Sequence, residues 1–234
     1  MGVAGGPSIA TSNLSVCIDA ANPKSSSNGT DIATGHTVTV SGATHETSGQ
    51  GTIGLWEFDG SNDSISITNS DLAQEWTRDF SLEVWMRVNT GDTWSNAYRS
   101  SILTKGSYAG SLGMWRHSTD YTVSAWVRGD SGSKERAVAN CGPDEWFHLV
   151  YTWDHDALMA IYKDGALGQS FDPGTYNSGD PETANWLLGG QSAASGAAGT
   201  FYDGYIAVAK IYDRELSATE VLQNFNATKG RFGK

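Results

Sequence analysis

The feature that constrains this chain most is an alternation of period two. In Phe80-Ser81-Leu82-Glu83-Val84-Trp85-Met86-Arg87-Val88 every even residue is apolar and the odd ones are mostly polar. Side chains on an extended strand point to opposite faces in turn, so the pattern predicts a strand with one buried face. Tyr121-Thr122-Val123-Ser124-Ala125-Trp126-Val127-Arg128 repeats it. Trp146 to Trp153 and Leu158 to Tyr162 are nearly continuous apolar runs, expected of central strands covered on both sides. Shorter strands are predicted near 14–19, 36–41, 53–58, 64–67, 100–104, 111–116, 134–139, 167–171, 185–190 and 200–212.

Turn chemistry separates these runs. Asp59-Gly60-Ser61-Asn62-Asp63, Lys163-Asp164-Gly165 and Asp203-Gly204 supply residues that tolerate positive φ, and Asp164-Gly165 between apolar runs predicts a hairpin. Many short strands with turns every 8–12 residues indicate a sandwich or barrel rather than βαβ units. One helix is expected near the C-terminus. Ser217-Ala218-Thr219-Glu220 reads as a capping box, Val221, Leu222 and Phe225 follow at helical spacing, and Gly230 suits the stop. The expectation is all-β: a two-sheet antiparallel jelly-roll sandwich with a short C-terminal helix. Residues 1–13, rich in Gly, Ser and Ala, read as an extended arm, and 14–234 as one domain.

Charge and cysteine usage exclude several classes. The formal net charge of −11 argues against nucleic acid, which needs a basic face to displace phosphate counterions, and against an anionic bilayer. No apolar run approaches the roughly 20 residues a bilayer span needs. Cys17 lies in an apolar run and Cys141 before Gly142-Pro143, so the two cysteines are expected as reduced, buried thiols rather than a disulfide framework. Met1-Gly2-Val3-Ala4-Gly5-Gly6-Pro7 has no basic start and no apolar stretch, so it does not read as a secretion signal.

Several segments resemble one family. Gly54-Leu55-Trp56-Glu57-Phe58-Asp59-Gly60-Ser61-Asn62-Asp63, Phe80-Ser81-Leu82-Glu83-Val84-Trp85, Glu145-Trp146-Phe147-His148-Leu149-Val150, Ile161-Tyr162-Lys163-Asp164-Gly165 and the stretch from Gly204 to Ser217 are similar, in this order, to motifs of laminin-G-like or concanavalin-A-like jelly rolls. The opening (Gly5 to Ile9, Ile18 to Ser25) and the ending (Leu222 to Phe232) look like those of laminin-G-like structural proteins of marine tailed phages. That resemblance implies a component of the virion, made in a host cytoplasm, with an extracellular adhesion module as the alternative. The partners it implies are other virion proteins, docked through residues 2–12, with a homo-oligomer and a surface glycan as further candidates.

The candidate sites are few. Trp85 and Arg87 share one strand face and Trp126 and Arg128 another; on neighbouring strands they would form a saccharide platform of two indoles and two guanidiniums. The resemblance implies a structural Ca²⁺, for which Asp59, Asn62 and Asp63 could offer oxygens, although Ala207 stands where the family often carries an Asp. No catalytic set emerges. Glu57-Phe58-Asp59 starts the E-x-D-x-x-E strand of retaining glycosidases, but no second Glu follows at the required spacing. There is no G-x-S-x-G elbow and no H-E-x-x-H, and His148 on a strand reads as structural. The chain is therefore expected not to be an enzyme.

Overall fold

The computed structural model describes residues 8–25, 28–47, 54–68, 78–89, 99–105, 112–117, 121–129, 132–138, 140–155, 157–172, 185–190 and 201–234. In chain order the strands are β1 (Leu14–Asp19), β2 (Val38–Ser41), β3 (Thr44–Glu46), β4 (Leu55–Asp59), β5 (Ser64–Ile67), β6 (Phe80–Val88), β7 (Arg99–Lys105), β8 (Leu112–His117), β9 (Val123–Gly129), β10 (Gly132–Val138), β11 (Phe147–Trp153), β12 (Met159–Lys163), β13 (Ala166–Phe171), β14 (Trp186–Leu188) and β15 (Asp203–Tyr212). Helix α1 (Ala218–Thr228) follows and runs on into a 3-10 turn, Lys229–Phe232.

All strand pairs are antiparallel, in two sheets. Sheet A has the order β13-β12-β11-β6-β15-β4-β3, and sheet B the order β10-β9-β8-β7-β14-β5-β2. Strand β15 has two neighbours along one edge: Asp203–Ile206 pair with β4 and Val208–Tyr212 with β1. The changeover falls at a bulge on Ala207, whose carbonyl accepts the amide of Ala20 at 3.0 Å. The even residues of β6, the odd residues of β11 (Phe147, Leu149, Tyr151, Trp153) and Val123, Ala125 and Val127 of β9 fill the core between the sheets. The two-sheet jelly roll with one C-terminal helix is thus as the sequence predicts.

Three local readings need correction. Strand β6 is not covered on one face only: Ser81, Glu83 and Trp85 are as buried as their apolar neighbours, because α1 and the turn after it lie over sheet A. Gly230 does not stop the helix. Lys229 keeps right-handed helical angles, and the chain ends its helical path at Gly233, φ 71°. Asp203-Gly204 is not a turn but the start of β15; there Gly204 (φ 150°) passes so near the carbonyl of Arg87 that a Cβ would lie 2.4 Å from it. By contrast Asp164 and Gly165 both take positive φ, as a two-residue hairpin requires.

Candidate functional site

The outward face of sheet A carries the densest polar cluster among the described residues. The strand period puts Glu83 of β6, His148 of β11, and Lys210 and Tyr212 of β15 on that face, and α1 lowers Asn224 onto them. Lys210 Nζ lies 2.6 Å and His148 Nε2 3.1 Å from Glu83 Oε1. Asn224 Nδ2 donates to Oε2 at 2.7 Å, and the Tyr212 hydroxyl is 3.3 Å from the same oxygen. Glu83, His148 and Asn224 expose no surface at all. Burial alone would push the Glu83 pKa up, but the Lys210 ammonium and His148 outweigh it and hold the carboxyl well below the ordinary range. Burial and the Glu83 charge push the Tyr212 phenol far up.

Trp85 lies beside this cluster and is roofed over. Phe232 stacks on it at 3.9 Å between centroids, Phe225 at 5.9 Å, and its Nε1 donates to Thr228 Oγ1 at 2.9 Å. Arg87, on the same face, sits 5.5 Å over the Tyr205 ring and 3.1 Å from Asp144. Trp126 is on β9 in sheet B, so the expected platform does not form: the two tryptophans face outward from opposite sheets. The backbone of Arg128 pairs with Ser133, and its side chain lies outside the described residues. On sheet B Trp126 meets Trp115 edge-on at 6.5 Å, a partner the sequence pattern did not single out. The pair is only 5% and 3% exposed. Trp115 stands between Ser101 and Ser124 across the sheet, and Trp115 Nε1 and Ser101 Oγ are buried without a hydrogen-bond partner.

The loop after β4 behaves as a self-contained turn. Asp59 Oδ1 accepts the amides of Ser61 (2.8 Å) and Asn62 (3.4 Å), and Asp63 Oδ2 accepts the amide of Asp59 at 3.0 Å. Asp63 is buried, and that burial raises its pKa. Backbone amides therefore already use one oxygen of each carboxylate proposed for Ca²⁺, and Asn62 is exposed. Among the described residues no group of three or more His, Cys, Asp or Glu side chains could hold a metal ion. Ala207, at the bulge, is fully buried. Two carboxylates, each with one oxygen already engaged by backbone amides, fall short of the six to eight oxygens that Ca²⁺ takes.

The described part of the N-terminal arm is fastened to its own domain. Ala10 N–H donates to Asn224 Oδ1 at 2.7 Å, Gln223 donates to the carbonyl of Ser8, and Arg214 Nε donates to the carbonyl of Ser12 at 2.9 Å. Residues 1–7 lie outside the described set. Cys17 and Cys141 are free and buried, and burial pushes their thiols up to about 12 and about 11. Among the described residues no helix is long and apolar enough to cross a membrane.

The sequence model of the concanavalin A-like lectin/glucanases superfamily matches residues 59–222. The chain belongs to this superfamily. Solved structures agree on the lectin-like fold. The receptor-binding domain of botulinum neurotoxin D superposes with a TM-score of 0.71 at 13% identity, over 92% of this chain and 52% of that one. The binding domain of Paraclostridial Mosquitocidal Protein 1 gives 0.71 at 15%, over 91% and 52%. The serotype D ligand-binding domain in complex with N-acetylneuraminic acid gives 0.71 at 14%, over 92% and 51%. The chain thus spans about half the length of these binding domains. No curated protein matches it.

The Glu83 cluster was not foreseen. Its one signal in the sequence is a charged residue at an odd position of β6 and another, Lys210, inside the apolar run Ile206 to Tyr212.

Proposed function

We propose that this lectin-fold domain is a non-catalytic docking protein of a tailed-phage particle, carried on the head or on a surface appendage. One observation supports it most. The two stretches that resemble phage structural proteins, at the opening and the ending of the sequence, are knitted together over sheet A. Gln223 of the ending donates to the carbonyl of Ser8 in the opening, and Arg231 of the ending pairs with Asp19 of the opening at 2.7 Å. They act as one structural unit that roofs a sheet face. Glu83, the acid of the cluster beneath that roof, is sealed from any substrate, which supports a role without bond-breaking chemistry on an external ligand.

Residues 8–12 are part of this roof, so the docking role proposed for residues 2–12 is tested by removing 2–7, which leaves the roof contacts of 8–12 in place. Removal of residues 2–7 is expected to weaken occupancy of the particle. The test is mass spectrometry of purified particles, followed by re-addition of the full chain and of a chain lacking 2–7 to stripped shells. Absence of the chain from particles sinks the virion reading. Equal occupancy by both chains sinks the role of the arm.

A second reading, glycan recognition, is favoured by the outward face of sheet B. There Trp115 and Trp126 stand beside two unpartnered polar atoms, Trp115 Nε1 and Ser101 Oγ. An apolar sugar face would meet the outer edges of the two indoles, since Trp115 Nε1 and Ser101 Oγ are themselves buried. A glycan array with the intact protein and Trp126→Ala decides it: no binding by the intact protein, or binding unchanged by the substitution, removes this site.

A further inference from the structure

The Glu83 cluster holds more than an ion pair. Glu83 and Lys210 are cross-strand partners, with Nζ 2.6 Å from Oε1. Asn224 reaches the other oxygen of the same carboxylate, Nδ2 to Oε2 at 2.7 Å. An amine and a carboxamide are thus held on the two oxygens of one acid. The carboxamide is oriented from its far end by Ala10, whose N–H donates to Oδ1 at 2.7 Å. Its orientation is unambiguous, because a backbone N–H can only donate and a carboxylate can only accept. The Tyr212 hydroxyl is 3.0 Å from Nδ2, and Lys210, Glu83 and Asn224 are buried together.

We propose that Lys210 and Asn224 condense into an intramolecular isopeptide bond, with Glu83 as the proton carrier. The Lys210 ammonium first passes a proton to Glu83 across their 2.6 Å contact, an uphill step from the resting ion pair that leaves a neutral amine and a neutral acid. The amine lone pair attacks Asn224 Cγ. The new C–N bond forms, and the carbonyl electron pair moves onto Oδ1, where the Ala10 N–H stands as an oxyanion donor. Glu83 gives its proton to Nδ2, the old C–N bond breaks, and ammonia leaves with that electron pair. Glu83 then takes the surplus proton from the new amide nitrogen, or that proton departs with ammonia as ammonium. No water, oxidant or other reagent is consumed.

The geometry assembles the parts of such a step: amine and carboxamide share one carboxylate, the carbonyl oxygen accepts an N–H, and Glu83 touches both nitrogens. The exclusion of water that keeps the pair dry also keeps the product amide from hydrolysis. The reaction exchanges two buried ions for neutral groups, which removes a desolvation cost. The bond would fasten α1 to β15 covalently.

The test is the intact mass of the full chain, denatured after folding. The expected mass is one ammonia below that of the sequence. Lys210→Arg, Asn224→Ala and Glu83→Gln each restore the full mass. In the wild type, trypsin fails to cut after Lys210, and a branched peptide joins the β15 and α1 segments. Full sequence mass in the folded wild type, with cleavage after Lys210, overturns the proposal whether or not any variant folds. Loss of ammonia that persists in Lys210→Arg overturns it too, since Asn28-Gly29 could lose the same mass by closing a succinimide.

Discussion

Trp85 and Phe232 lie face to face, 3.9 Å apart at their centroids and 12° from parallel. One comes from the middle strands of sheet A and the other from the last turn of the chain. The stack clamps the C-terminal segment onto the sheet, aided by Trp146 at 5.1 Å from Phe232. Removing either ring opens a cavity under a buried lid. Phe232→Ala and Trp85→Ala are each expected to cost about 3–5 kcal/mol in urea unfolding. Neither is expected to alter a glycan-binding profile, because Trp85 touches no solvent. A changed profile with unchanged stability would contradict this.

The N-terminal cap of α1 gives a pH-dependent prediction. Ser217 and Glu220 form the reciprocal capping box, and Arg214 grips the Glu220 carboxylate at 2.7 and 2.9 Å. The hydrogen bonds from Arg214 lower the Glu220 pKa to about 2 against opposing burial. A lowered folded pKa means stability that is full above the unfolded value of about 4.3 and fades as pH falls through the folded one. The difference in unfolding midpoint between wild type and Glu220→Gln should shrink steadily from pH 5 to about pH 2. Ser217→Ala should cost about 1 kcal/mol at neutral pH.

Asp31 organises the loop beside β1. Its carboxylate accepts amides from Cys17, Ala33, Gly35 and His36, at 2.8 to 3.0 Å. Burial opposes the ionised form, but these amides and His36 prevail and lower the pKa. Asp31→Ala strands several donors, each worth about 1–3 kcal/mol when left unmade. Loss of at least about 3 kcal/mol is expected, with hydrogen exchange accelerated first at residues 31–36.

Both thiols should be inert in the native state. A thiolate is the reacting form, and burial holds Cys17 and Cys141 protonated to about pH 12 and 11. Alkylation at pH 8 is expected to label neither residue until denaturant is added. Because their folded pKa values are raised, the thiols favour folding below the unfolded value near 8.5, and that contribution fades at higher pH.

Much of the fold could be read from residue order, and the reasons for the failures are physical. Alternation in β6 and β9, the Asp164-Gly165 hairpin and the Ser217 box are local signals, and each lies where it was read. Strand β3, only Thr44–Glu46, is too short to show a period and exists because β4 offers it an edge. Parity along a strand tells which residues share a face, but not which sheet the strand joins. Trp85 and Trp126 therefore looked like neighbours although they belong to different sheets. Glu83 looked like a solvent-facing residue, because a polar side chain that is buried by a distant helix carries no local mark. Asp59 was read both as a metal ligand and as a turn former, and the amides of Ser61 and Asn62 account for the turn.

Strand β15 also governs how this molecule can be made. It lies in the interior of sheet A, between β6 on one side and β4 with β1 on the other, yet it is the last strand in chain order. Among the described strands, until Tyr212 has left the ribosome β1 has no partner and β4 has only the short β3 beside it. Assembly of this sheet must then be a late, long-range closing event, slow for its size, during which unpaired strand edges invite misassociation.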